Sequence, residues 1–224
     1  MALETQQARR LDSEGAELLD RVSSWWEDYQ RPLLIALVTV AIVGGGGFLY
    51  FRSQAKQEDI AAGQLAEASV VFWQGDYNRA LEVAKQTYTQ YPSSPSGIDA
   101  HRVAADASFW LGDFRSAVSE YRRYLDKVKT GDLANAARRS LAYALESNGQ
   151  TLDAAKAYDG LVGVFDRITS AEMLTAGARC YRRLGQPIEA IQRLKRVANE
   201  FGDTYYAQVA RVDLGELEAM SNTH

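Results

Sequence analysis

Apolar residues recur three and four positions apart through residues 60–220, which is the spacing of amphipathic helices. The helical runs come in pairs, and a glycine separates the members of each pair. Around that glycine the same positions return. A small residue stands seven before it (Ala68, Ala105, Ala142, Ala178) and an alanine five after it (Ala80, Ala117, Ala154, Ala190). An apolar or aromatic residue stands nine after it (Ala84, Tyr121, Tyr158, Leu194). The glycines, Gly75, Gly112, Gly149 and Gly185, lie 37, 37 and 36 residues apart. In the first two copies the likeness becomes literal: "FWQGDYNRA" at 72–80 and "FWLGDFRSA" at 109–117.

A fixed period in the thirties predicts an array of helix pairs. Glycine ends the first helix of a pair because it enters a left-handed C-terminal cap without a steric cost. The small residues let the helices approach closely. The residue two after each glycine (Tyr77, Phe114, Thr151, Pro187) is expected to fill the seam with the alanines. Phe72, Trp73, Phe109 and Trp110 are read mainly as packing residues, the alternative being partial exposure on the inner curve of the array. Residues 204–220, "TYYAQVARVDLGELEAM", are expected to form a capping helix over the last apolar face.

The pattern resembles the tetratricopeptide repeat (TPR) family over residues 60–203, in four units. Pro92 falls where that family places its terminal proline, but the other three units lack one. Gln64, His101, Arg138 and Leu174 stand where its early Trp is expected. The implied fold is an all-α solenoid of about four helix pairs plus a capping helix. In that arrangement the first helix of each unit supplies the inner face. The implied partner-binding residues are Phe72, Arg102, Phe109, Arg139, Tyr143, Arg179 and Arg182. Arg102 and Arg139 occupy equivalent positions in successive units. They form a ladder suited to acidic or C-terminal peptide groups, since guanidinium pairs carboxylate bidentately; Asp106 interrupts it.

The pattern changes at residues 32–51, "PLLIALVTVAIVGGGGFLYF", which carry no charge. Twenty residues at helical rise cover about 30 Å, the thickness of a bilayer's hydrocarbon core. Trp25, Trp26 and Tyr29 precede the run, Tyr50 and Phe51 close it, and Arg31 and Arg52 flank it, as expected at headgroup level. The run starts too late and runs too long for a cleaved signal peptide. Gly44, Gly45, Gly46 and Gly47 are not a phosphate loop, because no Lys-Ser or Lys-Thr follows. With Ala41 they form a small-residue face that a second membrane helix could approach. The expected organisation is a tail at 1–31, a transmembrane helix at 32–51, a linker at 52–59 and a repeat domain at 60–224. Leu11, Leu18, Val22, Trp25 and Tyr29 give the tail one apolar face. Four arginines precede the span (Arg9, Arg10, Arg21, Arg31), and two basic residues (Arg52, Lys56) lie in the twenty that follow it. That bias puts the N-terminus inside and the repeats outside.

Composition adds mostly exclusions. A net charge of −4 and a pI near 5.3 give no electrostatic case for nucleic acid. One cysteine, Cys180, precludes an intramolecular disulfide and reads as a buried packing thiol. Only His101 and His224 offer an imidazole, and no zinc-protease, CxxC, GxSxG or P-loop motif occurs. The expectation is a non-enzyme with no cofactor and no metal.

The layout as a whole resembles the YfgM-like ancillary subunits of the bacterial SecYEG translocon. The likeness rests on "WWEDYQ", "GGGGFLYF" and "RSQAKQEDIAAGQLAEA", roughly residues 25–68. It implies an inner-membrane protein with a cytoplasmic N-terminus and a periplasmic repeat domain, in contact with the translocon and with chaperones or client polypeptides. A permanent structural subunit of another large membrane complex, photosynthetic or respiratory, is the alternative.

Overall fold

The computed structural model describes residues 2–221, with side chains described from Trp25 onward except at 27, 28, 33, 218, 220 and 221. Nine helices follow one another among these residues: α1 (Ala2–Trp73), α2 (Tyr77–Gln90), α3 (Pro95–Trp110), α4 (Phe114–Lys127), α5 (Asp132–Ser147), α6 (Thr151–Asp159), α7 (Arg167–Arg183), α8 (Pro187–Glu200) and α9 (Tyr205–Ser221). No strand occurs among the described residues. The chain divides into two compact units, one up to Lys56 and one from Gln57 onward. The stretch 52–59, expected as a linker, is helical and contains that division.

In the first unit the apolar run is helical and its described large side chains, from Leu34 to Phe51, face solvent. It is the one described helix long and apolar enough to cross a membrane. Pro32 lies within α1, and Trp25 stacks on Tyr29 with ring centres 5.5 Å apart. Both rings are about half exposed. Leu11, Leu18 and Val22, the rest of the expected amphipathic face, lie outside the described side chains. Side chains built at Gly44 to Gly47 would meet nothing within 4 Å, so no contact among the described residues requires those glycines.

The second unit is the helix-pair array. The end of α1 pairs with α2, α3 with α4, α5 with α6 and α7 with α8, and α9 covers the last pair. The small residues seven before each glycine, the alanines five after it and the residues nine after it are all buried. They make up much of two clusters. One joins Ala68 to Val83, Ala84, Ala100, Val103 and Ala104; the other runs from Ala105 to Leu217. The alanines hold the seam close, while Tyr121, Tyr124 and Tyr158 fill the wider gaps.

The repeated phrase is a turn made of two caps. Gly75, Gly112, Gly149 and Gly185 all take positive φ, between 69° and 87°. The Gly112 N–H donates to the Phe109 carbonyl at 3.0 Å and the Asp113 N–H to the Ser108 carbonyl at 2.9 Å. These two bonds are the Schellman pattern that closes a helix C-terminus. The same pair recurs at each of the other three glycines. Asp113 then starts the next helix, its carboxylate accepting from the Ser116 N–H at 3.1 Å. Asp76 does the same for Arg79 at 3.0 Å. Gln150 and Gln186 replace the aspartate in the later units and make no such side-chain cap.

Three features depart from expectation. Trp73 and Trp110 do not pack into the seam but stand 83% and 62% exposed, Trp110 stacking on Tyr77 with ring centres 5.7 Å apart. Pro187 is exposed as well; it sits at the first turn of α8, where its missing N–H costs nothing. Helix α6 is only nine residues long, and a loop through Gly163 (φ 83°) replaces its last turn, with the Ser170 hydroxyl accepting from the Gly163 N–H at 3.0 Å.

The start of α3 is the tightest point. A side chain at Gly97 would place its Cβ 1.8 Å from the Tyr91 carbonyl oxygen, which is backbone and cannot step aside. The same helix end is fixed by Glu58, whose carboxylate accepts from the Ser96 hydroxyl at 2.6 Å and from the Ser96 N–H at 3.2 Å. Gly97→Ala should therefore cost about 3 kcal/mol, the upper range of overpacking, and lower the melting temperature by roughly 6–12 °C. Ala117→Glu places a charge at a position with no exposure. It should cost several kcal/mol and abolish cooperative melting followed by circular dichroism.

Candidate functional site

The predicted face is built from the first helix of each pair. Each arginine expected to hold a ligand is instead answered by a carboxylate of this chain. Arg102 grips Asp99 with both Nε and Nη2, at 2.8 and 2.9 Å, and reaches Asp106 at 3.3 Å. Arg139 donates to Glu172 at 2.9 Å, and Glu172 also accepts from the Tyr143 hydroxyl at 2.5 Å. Arg179 bonds Glu146 bidentately, both contacts at 2.8 Å, and Arg183 joins at 2.9 Å. Arg182 lies 3.9 and 3.8 Å from Asp213 and Glu216 on α9. The ladder for acidic groups is thus corrected to a chain of internal ion pairs. A ligand carboxylate would have to displace one already in place.

These pairs set the titration of the face. Burial alone would raise the Glu146 carboxyl, but the bonds from Arg179 and Tyr158 and the charges of Arg179 and Arg183 outweigh it and hold Glu146 below the usual carboxylate range. Burial pushes the Tyr143 phenol up to about 12, helped by its bond to Glu172. Asp106 behaves in the opposite sense. Burial raises it more than the Tyr121 hydroxyl and Arg102 lower it. Cys180 is fully buried and pushed up to about 11 by that burial, so it offers no thiolate at neutral pH.

One cavity opens on this face, with a volume of about 140 Å³. Asp106, Phe109 and Trp110 from α3, Tyr121 from α4, and Ser140 and Tyr143 from α5 line it. Of the predicted residues, it brings together Phe109 and Tyr143. Phe72, Arg179 and Arg182 do not line it; Phe72 packs on Tyr77 with ring centres 5.4 Å apart. Asp106, Trp110, Tyr121 and Ser140 escaped the sequence reading as site residues. Asp99, Arg102 and Asp106 stand three and four apart on one helix. That spacing is itself the signal for an internally paired arginine.

Among the described residues no group of three His, Cys, Asp or Glu side chains is placed to hold a metal. His101 Nδ1 meets Glu120 at 2.6 Å and its ring stacks on Tyr88 at 4.1 Å, so the imidazole serves the seam between α2, α3 and α4. His224, the other predicted imidazole, lies outside the described residues.

Paired helices turning on left-handed glycines, stacked in register and closed by a final helix, define an α-solenoid of the TPR type. The tetratricopeptide repeat-like domain family matches residues 23–166, and the chain belongs to that family. No curated protein matches by sequence. Solved structures share the fold. A TPR protein from Parabacteroides merdae ATCC 43184 superposes with a TM-score of 0.61 at 15% identity, over 72% of this chain and 61% of its own. The nearly identical TPR-like repeats of a kinesin-light-chain-type protein from Podosopora anserina give 0.58 at 19%, over 75% and 89%. MamA gives 0.52 at 16%, over 73% and 81%. The fold is that of a protein–protein interaction scaffold.

Glu146 provides a test of the ion-pair face. Its folded-state pKa is lowered from 4.5, so its contribution is present above that value and is lost as pH falls through the folded value. Glu146→Gln should cost about 1–2 kcal/mol at pH 7, moderated because its arginine partners are half exposed. The gap in melting temperature from the parent should narrow as the pH falls below 4.5 and through the lower folded-state value. An unchanged gap across that range would remove the charge from the explanation.

Proposed function

We propose that this chain is a membrane-anchored interaction scaffold, an ancillary subunit of a protein-translocation channel whose repeat domain meets chaperones or client polypeptides. The observation that carries the reading is an uncharged helical run with its large side chains uncovered, followed directly by a TPR-type array. The family match supports it, because it begins at residue 23 and takes in the apolar run together with the first repeats. The resemblance at residues 25–68 points to the translocon of the bacterial inner membrane, with the N-terminus cytoplasmic and the array periplasmic. The reading assigns the chain no catalytic role, and its partners are polypeptides and the bilayer.

A permanent place in another large membrane complex, photosynthetic or respiratory, is the second reading. It draws on Ala41, which is exposed, and Gly44 to Gly47, where no described residue lies within 4 Å of an added side chain. Such a face suits a neighbouring membrane helix.

Expressed in a bacterial host, the parent should resist alkaline carbonate extraction, and a chain lacking residues 1–54 should be soluble and helical. A parent released by carbonate would overturn the anchor. In mild detergent, mass spectrometry of co-purifying proteins should show translocon subunits with the parent, and Ala41→Leu with Gly45→Leu should lose them. Stoichiometric recovery of a respiratory or photosynthetic complex instead selects the second reading.

A further inference from the structure

We infer that the cavity between α3 and α5 takes a lysine or arginine side chain of a partner polypeptide, held by the Asp106 carboxylate against the rings of Phe109, Trp110 and Tyr143. The inference rests on the scaffold reading and gives it a ligand chemistry opposite to the one the arginine ladder suggests.

Size comes first. A volume of about 140 Å³ lies well below the roughly 300 Å³ at which small-molecule pockets begin, yet it admits one long side chain. Charge comes second. Arg102 lies between two carboxylates, which leaves the trio with one negative charge in excess. Its two short contacts, 2.8 and 2.9 Å, both go to Asp99, while Asp106 receives only one long contact of 3.3 Å and the Tyr121 hydroxyl at 2.5 Å. A carboxylate offers about four acceptor sites, so Asp106 retains capacity. The neighbouring cation, Arg139, lies 5.8 Å from the centre of the Tyr143 ring, but its charge is matched by Glu172, to which it donates at 2.9 Å. The uncompensated charge at this cavity is therefore negative.

The walls complete the match. Phe109 and Trp110 meet edge to face with ring centres 6.4 Å apart, and Tyr143 approaches from α5. Aromatic faces beside a carboxylate attract a cation and the methylene stem that carries it. An acidic side chain would meet Asp106. An aliphatic one would cover the carboxylate and leave its remaining acceptor sites unfilled, with only Arg102 and the Tyr121 hydroxyl on it. Asp106 is also held above its usual range by burial, so the site is kept at a cost to folding that an incoming cation would relieve.

The test uses the full chain in detergent micelles, labelled with 5-fluorotryptophan. Its four tryptophans give separate fluorine resonances, and Trp110 is assigned with Trp110→Phe. The probes are the amides Gly-Arg-Gly, Gly-Lys-Gly, Gly-Leu-Gly and Gly-Glu-Gly. The Arg and Lys peptides should shift the Trp110 resonance saturably and at least about fivefold more tightly than the Leu and Glu peptides. Asp106→Asn should erase that preference while melting no lower than the parent. Asp99→Asn, at a residue that accepts twice from Arg102 and does not itself line the cavity, should reduce it too by freeing Arg102 to pair with Asp106. Equal shifts for all four peptides, no shift with any, or a preference that survives both variants would overturn the inference. A failure here leaves the scaffold reading standing, since that is judged by carbonate extraction and by what co-purifies.

Discussion

The array depends on one backbone event repeated four times: a residue takes positive φ so that a finished helix can turn back beside itself. Only glycine does this cheaply, and the turn satisfies the helix-end carbonyls that would otherwise be left open. Because the reversal is the same at Gly75, Gly112, Gly149 and Gly185, the residues at fixed distances from it reach the same place in every unit. That is why alanine returns five residues later and why Tyr121 and Tyr158 fill equivalent gaps. In the first two units the aspartate that follows the glycine caps the next helix, so neighbouring residues end one helix and begin the other.

With the geometry fixed, the face of the first helices is decided by charge. A surface that presented bare arginines would invite any polyanion. Here Arg102, Arg139 and Arg179 are each bound to a carboxylate, two of them to one 33 residues away. Such pairs contribute modestly to stability where they are half exposed. The pairs of Arg139 and Arg179 also tie α5 to α7, while that of Arg102 stays within α3; one negative charge is left in excess beside Asp106, and one positive where Arg179 and Arg183 share Glu146.

The fold is largely legible in the sequence, because period, glycine and alanine are local signals with one cheap structural solution. The four turns, the helix pairs and the covering helix all follow from them. The candidate site is legible only in part. Phe109 and Tyr143 are placed on the right face by register, but the partners of Arg139 and Arg179 lie a near-repeat away with nothing local to announce them. The exposed Trp73 and Trp110 show a second limit. Hydrophobic identity says that a residue can be buried, and the handedness of a turn decides whether it is. The early end of α6 shows a third, since the Gly163 loop fills its space with Leu161 and leaves the buried pattern intact.

Neighbour-only packing has a kinetic consequence. Nearly all tertiary contacts of the array join helices adjacent in sequence, from α2 against α3 through α8 against α9. Little chain entropy is lost in closing any of them, which favours fast assembly from whichever pair forms first. It also means that order can be lost one helix at a time from an end. Helix α9 is held on one side only, by residues such as Ala210 and Leu217. Its amides should exchange with solvent soonest within the array, and those of α4 and α5, gripped from both sides, last.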